Sequence, residues 1–293
     1  MAWELMRTRR VKLRPMKINF HLRVDPQDGW RGLINSLSAL RQSWQQGWVG
    51  LPSVLAACQQ ALGLQTQDSD QDQHQGPQRI MALNDYAMHI AERMEQQDAY
   101  QPAYHNNLHT ADVLVSLTVL LLIQTQTSPA VDKWWLAMLL AAAVGHDFAH
   151  PGGKNQFDSE IESNSITRLK AQIDARSLDP LDLEHIGQLI LNTEVRLVPM
   201  NHSAVAHTDF AWNLDWCSVL LNEADIAASA TAEFGPALCQ SLSQEWEASG
   251  IENSQVIAST QGWLQFLKSI DFSSPAAIAL GLPAQVQRLI DSR

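Results

Sequence analysis

The sequence predicts an all-α fold, a compact bundle of many helices. Apolar residues recur at helical spacing in segment after segment, and one segment, WWLAMLLAAAVG, is apolar on nearly every side, as a helix inside a core would be. The chain has 293 residues, of which 45% are hydrophobic and 17% charged, so it is long enough to enclose such a core. We therefore expect one helical domain preceded by an N-terminal extension.

The extension is predicted to comprise residues 1–78 and begins with a basic arm. Lys17 to Val24 alternates polar and apolar residues, which is the period of a half-buried strand. Three alternatives stay open for this stretch: a hairpin, edge pairing with a second copy of the chain, or a loosely ordered arm. Residues 30–62 carry apolar side chains at helical spacing and predict one or two helices. Residues 65–78 are polar and acidic, as in a linker.

The helical domain is predicted to comprise residues 79–293. Apolar periodicity and the positions of proline and glycine indicate where its helices begin and end. The predicted helices cover residues 79–94, 105–127, 129–147, 159–172, 181–193 and 216–230. Residues 195–210 contain several polar side chains, among them His202, His207 and Asp209, and are predicted as a loop.

Composition also indicates the compartment and the class of partner. The first twenty residues are basic but lack a continuous apolar core, and the three cysteines match no disulfide or zinc pattern, so we expect a cytoplasmic bacterial protein with reduced thiols. The WWLAMLLAAAVG run is shorter than the roughly 18 apolar residues that span a bilayer, so no membrane insertion is expected. A net charge of −11 and a pI of about 5.3 argue against a nucleic-acid polymer as the main partner.

Two short motifs carry the groups suited to chemistry, YHNNLHTADV and GHDFAHPGGKNQF. A single histidine on an apolar helix would be explained by a hydrogen bond in the core, but here six polar groups fall into two clusters at the edge of the predicted buried helix. Burying them costs several kcal/mol unless they are paired or coordinated. Mixed histidine and aspartate ligands suit divalent cations such as zinc, magnesium and manganese. The six residues are His105, His109, Asp112, His146, Asp147 and His150.

The same motifs resemble those of the class I cyclic nucleotide phosphodiesterases, usually Y-H-N-x-x-H-A-x-D-V and H-D-x-x-H-P-G-x-x-N-x-F. LILNTEV at residues 189–195 and LLNEADIA at residues 220–227 continue the resemblance in the family's order. It covers roughly residues 80 to 270, and it implies the helical fold of the HD and phosphodiesterase type.

The resemblance implies a role for each matching residue. Two divalent metals are expected, zinc at the first site and magnesium or manganese at the second. The first metal would be held by His109, His146, Asp147 and Asp225. His105 would be the general acid. The residues implied for the waters around the second metal are His150, Glu162 and Thr193, and those implied for substrate binding are Tyr104, Asn155, Gln261 and Trp263.

The chain departs from the family pattern in three places. The loop before the helix that carries Glu162 is much shorter, and from the sequence alone Glu162 could equally be a solvated surface charge. Thr193 is followed by Glu194, where the family generally has aspartate. The family's Q-V-G-F becomes Thr260-Gln261-Gly262-Trp263; aligned on the glycine, Trp263 replaces the stacking aromatic, and aligned on the glutamine, Gln261 is retained.

The function implied is hydrolysis of a 3′,5′-cyclic nucleotide, cyclic AMP or cyclic GMP or both, to the 5′-monophosphate. A metal-bridging hydroxide would attack phosphorus and His105 would protonate the leaving oxygen. Two alternatives stay open: a related metal-dependent phosphohydrolase acting on another phosphodiester or nucleotide, and a non-catalytic binding module. A homodimer formed through the strand-like segment of the extension is a further hypothesis.

Overall fold

The computed structural model describes residue 22 and residues 28–65, 76–96, 101–127 and 130–292. Within these ranges the chain forms fourteen α-helices and no β-strand, so the predicted all-α fold is confirmed. The helices are α1 (Trp30–Gln46), α2 (Leu51–Ala61), α3 (Pro77–Glu95), α4 (Asn107–Thr127), α5 (Lys133–Gly145), α6 (Glu160–Gln172), α7 (Pro180–Leu191), α8 (Val198–Val205), α9 (Leu214–Ala227), α10 (Gly235–Ala248), α11 (Gln255–Ala258), α12 (Thr260–Ser269), α13 (Pro275–Leu280) and α14 (Leu282–Asp291).

Helix α4 lies at the centre of the bundle and packs against α1, α2, α5, α9 and α13. It is apolar around almost its whole circumference, because neighbouring helices cover it on every side. In the described part of the chain it is the one helix long and apolar enough to cross a membrane, but 83% of that apolar window is buried inside the protein. Its first turn, which carries His109, therefore lies against the core.

Helix α5 also runs through the core and ends where the second motif begins. Asp132 accepts a hydrogen bond from the backbone N–H of Trp134 at 3.0 Å and so caps the first turn. At the other end a Cβ atom added to Gly145 would lie 3.0 Å from the Leu169 side chain of α6. Glycine thus permits the close approach of α5 and α6. This packing fixes the position of the next two residues, His146 and Asp147, at the end of α5.

Two predictions about local structure were wrong. Residues 195–210 contain α8, whose first turn has Pro199, so this segment is a short helix and not only a loop. Helix α4 begins at Asn107 and not at His105, because the Asn106 side chain accepts hydrogen bonds from the backbone N–H groups of Leu108 and His109. His105 therefore precedes the helix and does not share a helical face with His109.

The extension contributes to the same core as the rest of the protein. Leu33, Leu37 and Leu40 of α1 and Leu55 of α2 are buried in one cluster with residues of α4 and α5. The strand-like residues 17–24, apart from Leu22, and most of the predicted linker lie outside the described residues. The predicted boundary between residues 78 and 79 stays a prediction.

A buried carboxylate joins α9 to α13. Glu223 is fully buried, and it accepts hydrogen bonds from the backbone N–H groups of Ser273 and Ser274 at 2.6 and 2.7 Å and from the Ser274 hydroxyl. Burial raises the pKa of Glu223 to about 7 even though these three donors favour the anion. The folded protein therefore holds this proton more tightly than the unfolded chain does.

This linkage predicts that Glu223 makes the stability of the protein depend on pH. Since the folded pKa lies above the ordinary value of 4.5, the free energy of unfolding should fall as pH rises from about 4.5 to 7, by at most about 3 kcal/mol. Glu223→Gln cannot ionise and should remove this part of the slope. Urea unfolding of both proteins between pH 5 and 8 would measure the difference; parallel curves would contradict the prediction.

Candidate active site

Four side chains from three helices meet at one point at the edge of the core. Helix α4 supplies His109, the end of α5 supplies His146 and Asp147, and α9 supplies Asp225. His109 Nε2 lies 3.1 Å from Asp225 Oδ1 and 3.3 Å from Asp147 Oδ2, and His146 Nε2 lies 3.1 Å from Asp147 Oδ2. The structure thus brings together all four residues that the sequence predicted as ligands of the first metal.

The spacing of these four groups fits a tetrahedral metal ion. An ion with ligands at about 2.1 Å has ligand atoms about 3.4 Å apart, close to the separations observed here. His146 Nδ1 lies 2.7 Å from the backbone carbonyl of Ala143, which requires the proton on Nδ1 and leaves the Nε2 lone pair facing the two carboxylates. A cation between them resolves this arrangement, because His146 Nε2 and Asp147 Oδ2 are buried without a well-aligned hydrogen-bond partner among the described residues.

The pKa shifts within the cluster also indicate that it needs positive charge. Burial alone would lower the pKa of His109, but the bonds from Asp147 and Asp225 raise it to about 9. The pKa of Asp225 is shifted the other way: burial raises it, and the two imidazoles lower it well below its ordinary range. Two buried carboxylates thus need positive charge beside them, which protons on the imidazoles or a divalent cation can supply.

His105, the predicted general acid, is held by a residue that sequence reasoning missed. Glu245 of α10 is 1% exposed, and its Oε1 lies 2.5 Å from His105 Nδ1. Its Oε2 accepts hydrogen bonds from the backbone N–H groups of Tyr104 and His105 at 2.8 and 2.9 Å. Since the carboxylate accepts the Nδ1 proton, Nε2 is the nitrogen of His105 that remains for chemistry. Burial raises the pKa of Glu245, but the contacts with His105 outweigh it and the net shift is downward.

His150 lies directly against His105. Their rings stack with centroids 3.8 Å apart, and His150 Nδ1 accepts a hydrogen bond from the backbone N–H of Gly152 at 3.0 Å. Burial and the neighbouring His105 lower the pKa of His150 to about 4, so His150 is neutral near pH 7. His105, Asp147 and His150 offer ligand atoms within 4.8 Å of one another, which makes a second group that could hold or surround a cation.

The other two residues predicted around the second metal, Glu162 and Thr193, have different surroundings. Glu162 is half-buried, burial raises its pKa, and the charges of Glu194 and Asp147 contribute to that rise. The Thr193 hydroxyl donates to the backbone carbonyl of Ile190 at 2.8 Å. A role at the second metal for either residue stays a prediction.

The predicted substrate-binding residues include two whose side chains are occupied elsewhere. The Trp263 side chain is 3% exposed, packs with Ala230, Cys239, Leu267 and Val286, and donates from Nε1 to the carbonyl of Ser229 at 3.0 Å. This burial does not support stacking on a substrate. The Asn155 amide oxygen accepts the backbone N–H of Ile161 at 2.7 Å, and its nitrogen donates to Glu162 at 2.9 Å, so it is a positioning group and not a free ligand.

The other two predicted substrate contacts differ from each other. The Tyr104 ring lies 4.7 Å from the rings of both His105 and His109, and its hydroxyl is 3.1 Å from the Ser229 hydroxyl, so Tyr104 does line the site. Gln261 is exposed on the first turn of α12. Its contact with a substrate stays a prediction.

Comparisons with known proteins agree with this geometry. Residues 104–199, about one third of the chain, match the family model described as 3′5′-cyclic nucleotide phosphodiesterase. The fold is similar to the phosphodiesterase domain of the RhoPDE fusion protein from the choanoflagellate Salpingoeca rosetta, with 17% identity and a TM-score of 0.59 over 83% of this chain and 87% of that one. A second structure, the phosphodiesterase domain of Salpingoeca rosetta rhodopsin phosphodiesterase, has 17% identity and a TM-score of 0.57 over 83% of this chain and 84% of that one.

The structural likeness, at this identity, shows the fold. The family model covers the stretch that carries His105, His109, His146, Asp147 and His150. Residues 104–199 are therefore similar to the 3′5′-cyclic nucleotide phosphodiesterase family over the stretch that carries these five residues, and the same residues contribute to two groups that could hold a metal ion.

Proposed function

We propose that this protein hydrolyses cyclic AMP, cyclic GMP or both to the 5′-monophosphate. One observation carries the proposal: a four-ligand cluster lies beside a histidine whose Nδ1 is bonded to a buried carboxylate. Divalent cations held by the cluster would neutralise the charge of a phosphodiester, and the histidine would supply the proton that the leaving oxygen needs. The family match supports the same reaction class.

The donor sets support the metals that we propose. Two imidazoles and two carboxylates suit zinc at the first site, held by His109, His146, Asp147 and Asp225. Asp147 with His150 and Glu162 offers oxygen and water-bound positions that suit magnesium or manganese at the second. When bound, the ions lower the pKa of a coordinated water and neutralise charge on the phosphoryl oxygens.

The residues of the chain do the remaining work. Water adds its oxygen to phosphorus and releases one proton to solvent, the bond between phosphorus and the ribose 3′ oxygen breaks, and the proton of His105 Nε2 goes to that oxygen. His105 then takes a proton back from solvent. Glu245 holds the ring by Nδ1 and stabilises the protonated imidazole. The His150 ring, which is neutral near pH 7, stacks on the His105 ring with centroids 3.8 Å apart.

Two of the residues predicted to contact a cyclic nucleotide are occupied elsewhere, which favours a second candidate function. Trp263 is packed in the core and the Asn155 amide is taken up by α6, so neither provides a surface for a purine. This observation favours, as the alternative, hydrolysis of another phosphodiester at the same metal centre. The cytoplasmic location, the bacterial source and the homodimer formed through the N-terminal segment also stay predictions.

The proposal predicts turnover that depends on the cluster. Protein loaded with zinc and magnesium should hydrolyse cyclic AMP or cyclic GMP, and Asp225→Asn, which removes one ligand charge, should lower kcat by about 10³ or more. Asp174→Asn is the matched control, since Asp174 forms an exposed ion pair with Arg176. Product formation measured by chromatography, with bis-p-nitrophenyl phosphate as a second substrate, checks both candidates.

Each outcome of this assay decides between them. Hydrolysis of a cyclic nucleotide that is lost in Asp225→Asn and kept in Asp174→Asn supports the proposal. Hydrolysis of the generic diester alone supports the alternative. No turnover of any phosphodiester by the metal-loaded protein contradicts both.

The contact between His105 and Glu245 predicts a loss in kcat. Glu245→Gln keeps an acceptor for the backbone N–H groups but removes the charge that stabilises the protonated ring, so kcat should fall about 10²-fold while KM changes little. Glu247→Gln, exposed two residues further along α10, is the control. Steady-state kinetics that give equal kcat values for the two variants would show that Glu245 does not support the acid.

A further inference from the structure

We propose that Glu194 is a positioning residue for the second metal, acting through the loop that precedes α6. The inference rests on the proposed function, because it assigns Glu162 to the water shell of that metal. The carboxylate of Glu194 fixes Ser159, the loop thereby keeps Asn155 against α6, and Asn155 holds the Glu162 carboxylate in place.

Ser159 is the first link, and its backbone is in a conformation that needs support. Its φ is 51° and ψ 33°, the left-handed region that non-glycine residues seldom adopt. It occupies the N-cap position of α6, where a serine hydroxyl normally accepts a hydrogen bond from the first turn, yet it makes no such bond. Its hydroxyl instead donates to Glu194 Oε2 at 2.5 Å.

Asn155 performs the capping that Ser159 does not. Its amide oxygen accepts from the backbone N–H of Ile161 at 2.7 Å, and its amide nitrogen donates to Glu162 Oε2 at 2.9 Å. One side chain thus caps the start of α6 and orients the Glu162 carboxylate in the same first turn. Any displacement of the loop that contains Asn155 and Ser159 would move the Glu162 carboxylate with it.

Glu194 is the fixed end of this chain of contacts. It is 1% exposed, lies in the turn after α7, and is held by the guanidinium of Arg196, whose Nε donates to Oε1 at 2.6 Å. Arg196 also reaches Asp158 at 2.7 Å, but Asp158 is 93% exposed, so that ion pair is screened by solvent. The partly buried bond between Ser159 and Glu194 is therefore the less solvent-screened of the two contacts that tie this loop to the turn after α7.

The proposal assigns a distinct reason for glutamate after Thr193. Aspartate at this position would shorten the side chain by one methylene and withdraw the carboxylate from Ser159, whereas glutamine would keep an acceptor of the same length. Glu194→Asp and Ser159→Ala both remove the bond between Ser159 and Glu194. Glu194→Gln is the conservative variant that should retain it.

The test is direct binding of Mn²⁺ to zinc-loaded protein, measured through the electron paramagnetic resonance signal of the free ion. Removing an outer partner of a metal site typically weakens affinity 10–100-fold, so Ser159→Ala and Glu194→Asp should raise the Kd for Mn²⁺ by about 10-fold or more. Glu194→Gln should stay within about threefold of the wild-type Kd. Glu162→Gln removes the carboxylate itself and should show the largest loss of Mn²⁺ affinity. Asp158→Asn, which removes only the exposed ion pair, should bind Mn²⁺ like the wild type.

Thermal unfolding of the same proteins separates positioning from folding. Unchanged Mn²⁺ affinity in Ser159→Ala and Glu194→Asp would overturn the proposal, whether or not either variant unfolds at a lower temperature. Should Glu194→Asp fail to fold, Ser159→Ala decides alone, since it removes one hydroxyl from a half-buried loop. Failure of the proposed function has a different signature: Mn²⁺ would bind as expected while the wild type turned over no phosphodiester.

Discussion

The structure depends on the meeting of two imidazoles and two carboxylates at the end of two buried helices. Helices α4 and α5 are apolar on nearly all sides and so must lie inside the bundle. The polar groups at their ends then lie next to one another, with both imidazoles buried and both carboxylates largely shielded from solvent. His109, His146, Asp147 and Asp225 can be accommodated there only if their charges balance, and a divalent cation balances them with the observed spacing.

Buried polar contacts hold the surrounding helices in the positions that this meeting point requires. Glu95 at the end of α3 accepts hydrogen bonds from Trp48, from the backbone of Leu51 and from Asn107 at the start of α4. Arg41 of α1 pairs with the buried Asp112, one turn beyond His109. The helices of the N-terminal extension are thus bonded to the helix that carries the first metal ligand, as well as packed against it.

Sequence reasoning could predict what depends on local spacing and on burial. The helical periods predicted α3, α6, α7 and α9 to within a few residues, and they predicted α5 with a start four residues too early. The resemblance of the motifs to a known family implied the four ligands. Sequence reasoning could not predict Glu245, because that residue lies 140 positions from His105 and looks like any other glutamate on an amphipathic helix. The start of α4 was predicted two residues too early, because the spacing of His105 and His109 does not show that the Asn106 side chain caps the helix.

The region around Trp263 shows the other limit of sequence reasoning. An aromatic residue beside a glycine fits a substrate contact and a core position equally well until its neighbours are known. Here Trp263 packs against α10 and α14 side chains and bonds to Ser229, so its ring is part of a second core cluster. The position of Trp263 in that cluster, and not its place in the motif, therefore decides its role.

The most direct test of the metal centre is X-ray absorption at the zinc edge, on protein loaded with one equivalent of zinc. The geometry predicts a shell of nitrogen and oxygen at about 2.0–2.2 Å from the four protein ligands and coordinated water, with the outer-shell scattering of two imidazoles. Cys58, Cys217 and Cys239 are buried and belong to neither metal-competent cluster, so sulfur should be absent. A sulfur shell near about 2.3 Å, or a shell of oxygen without imidazole, would contradict the predicted centre.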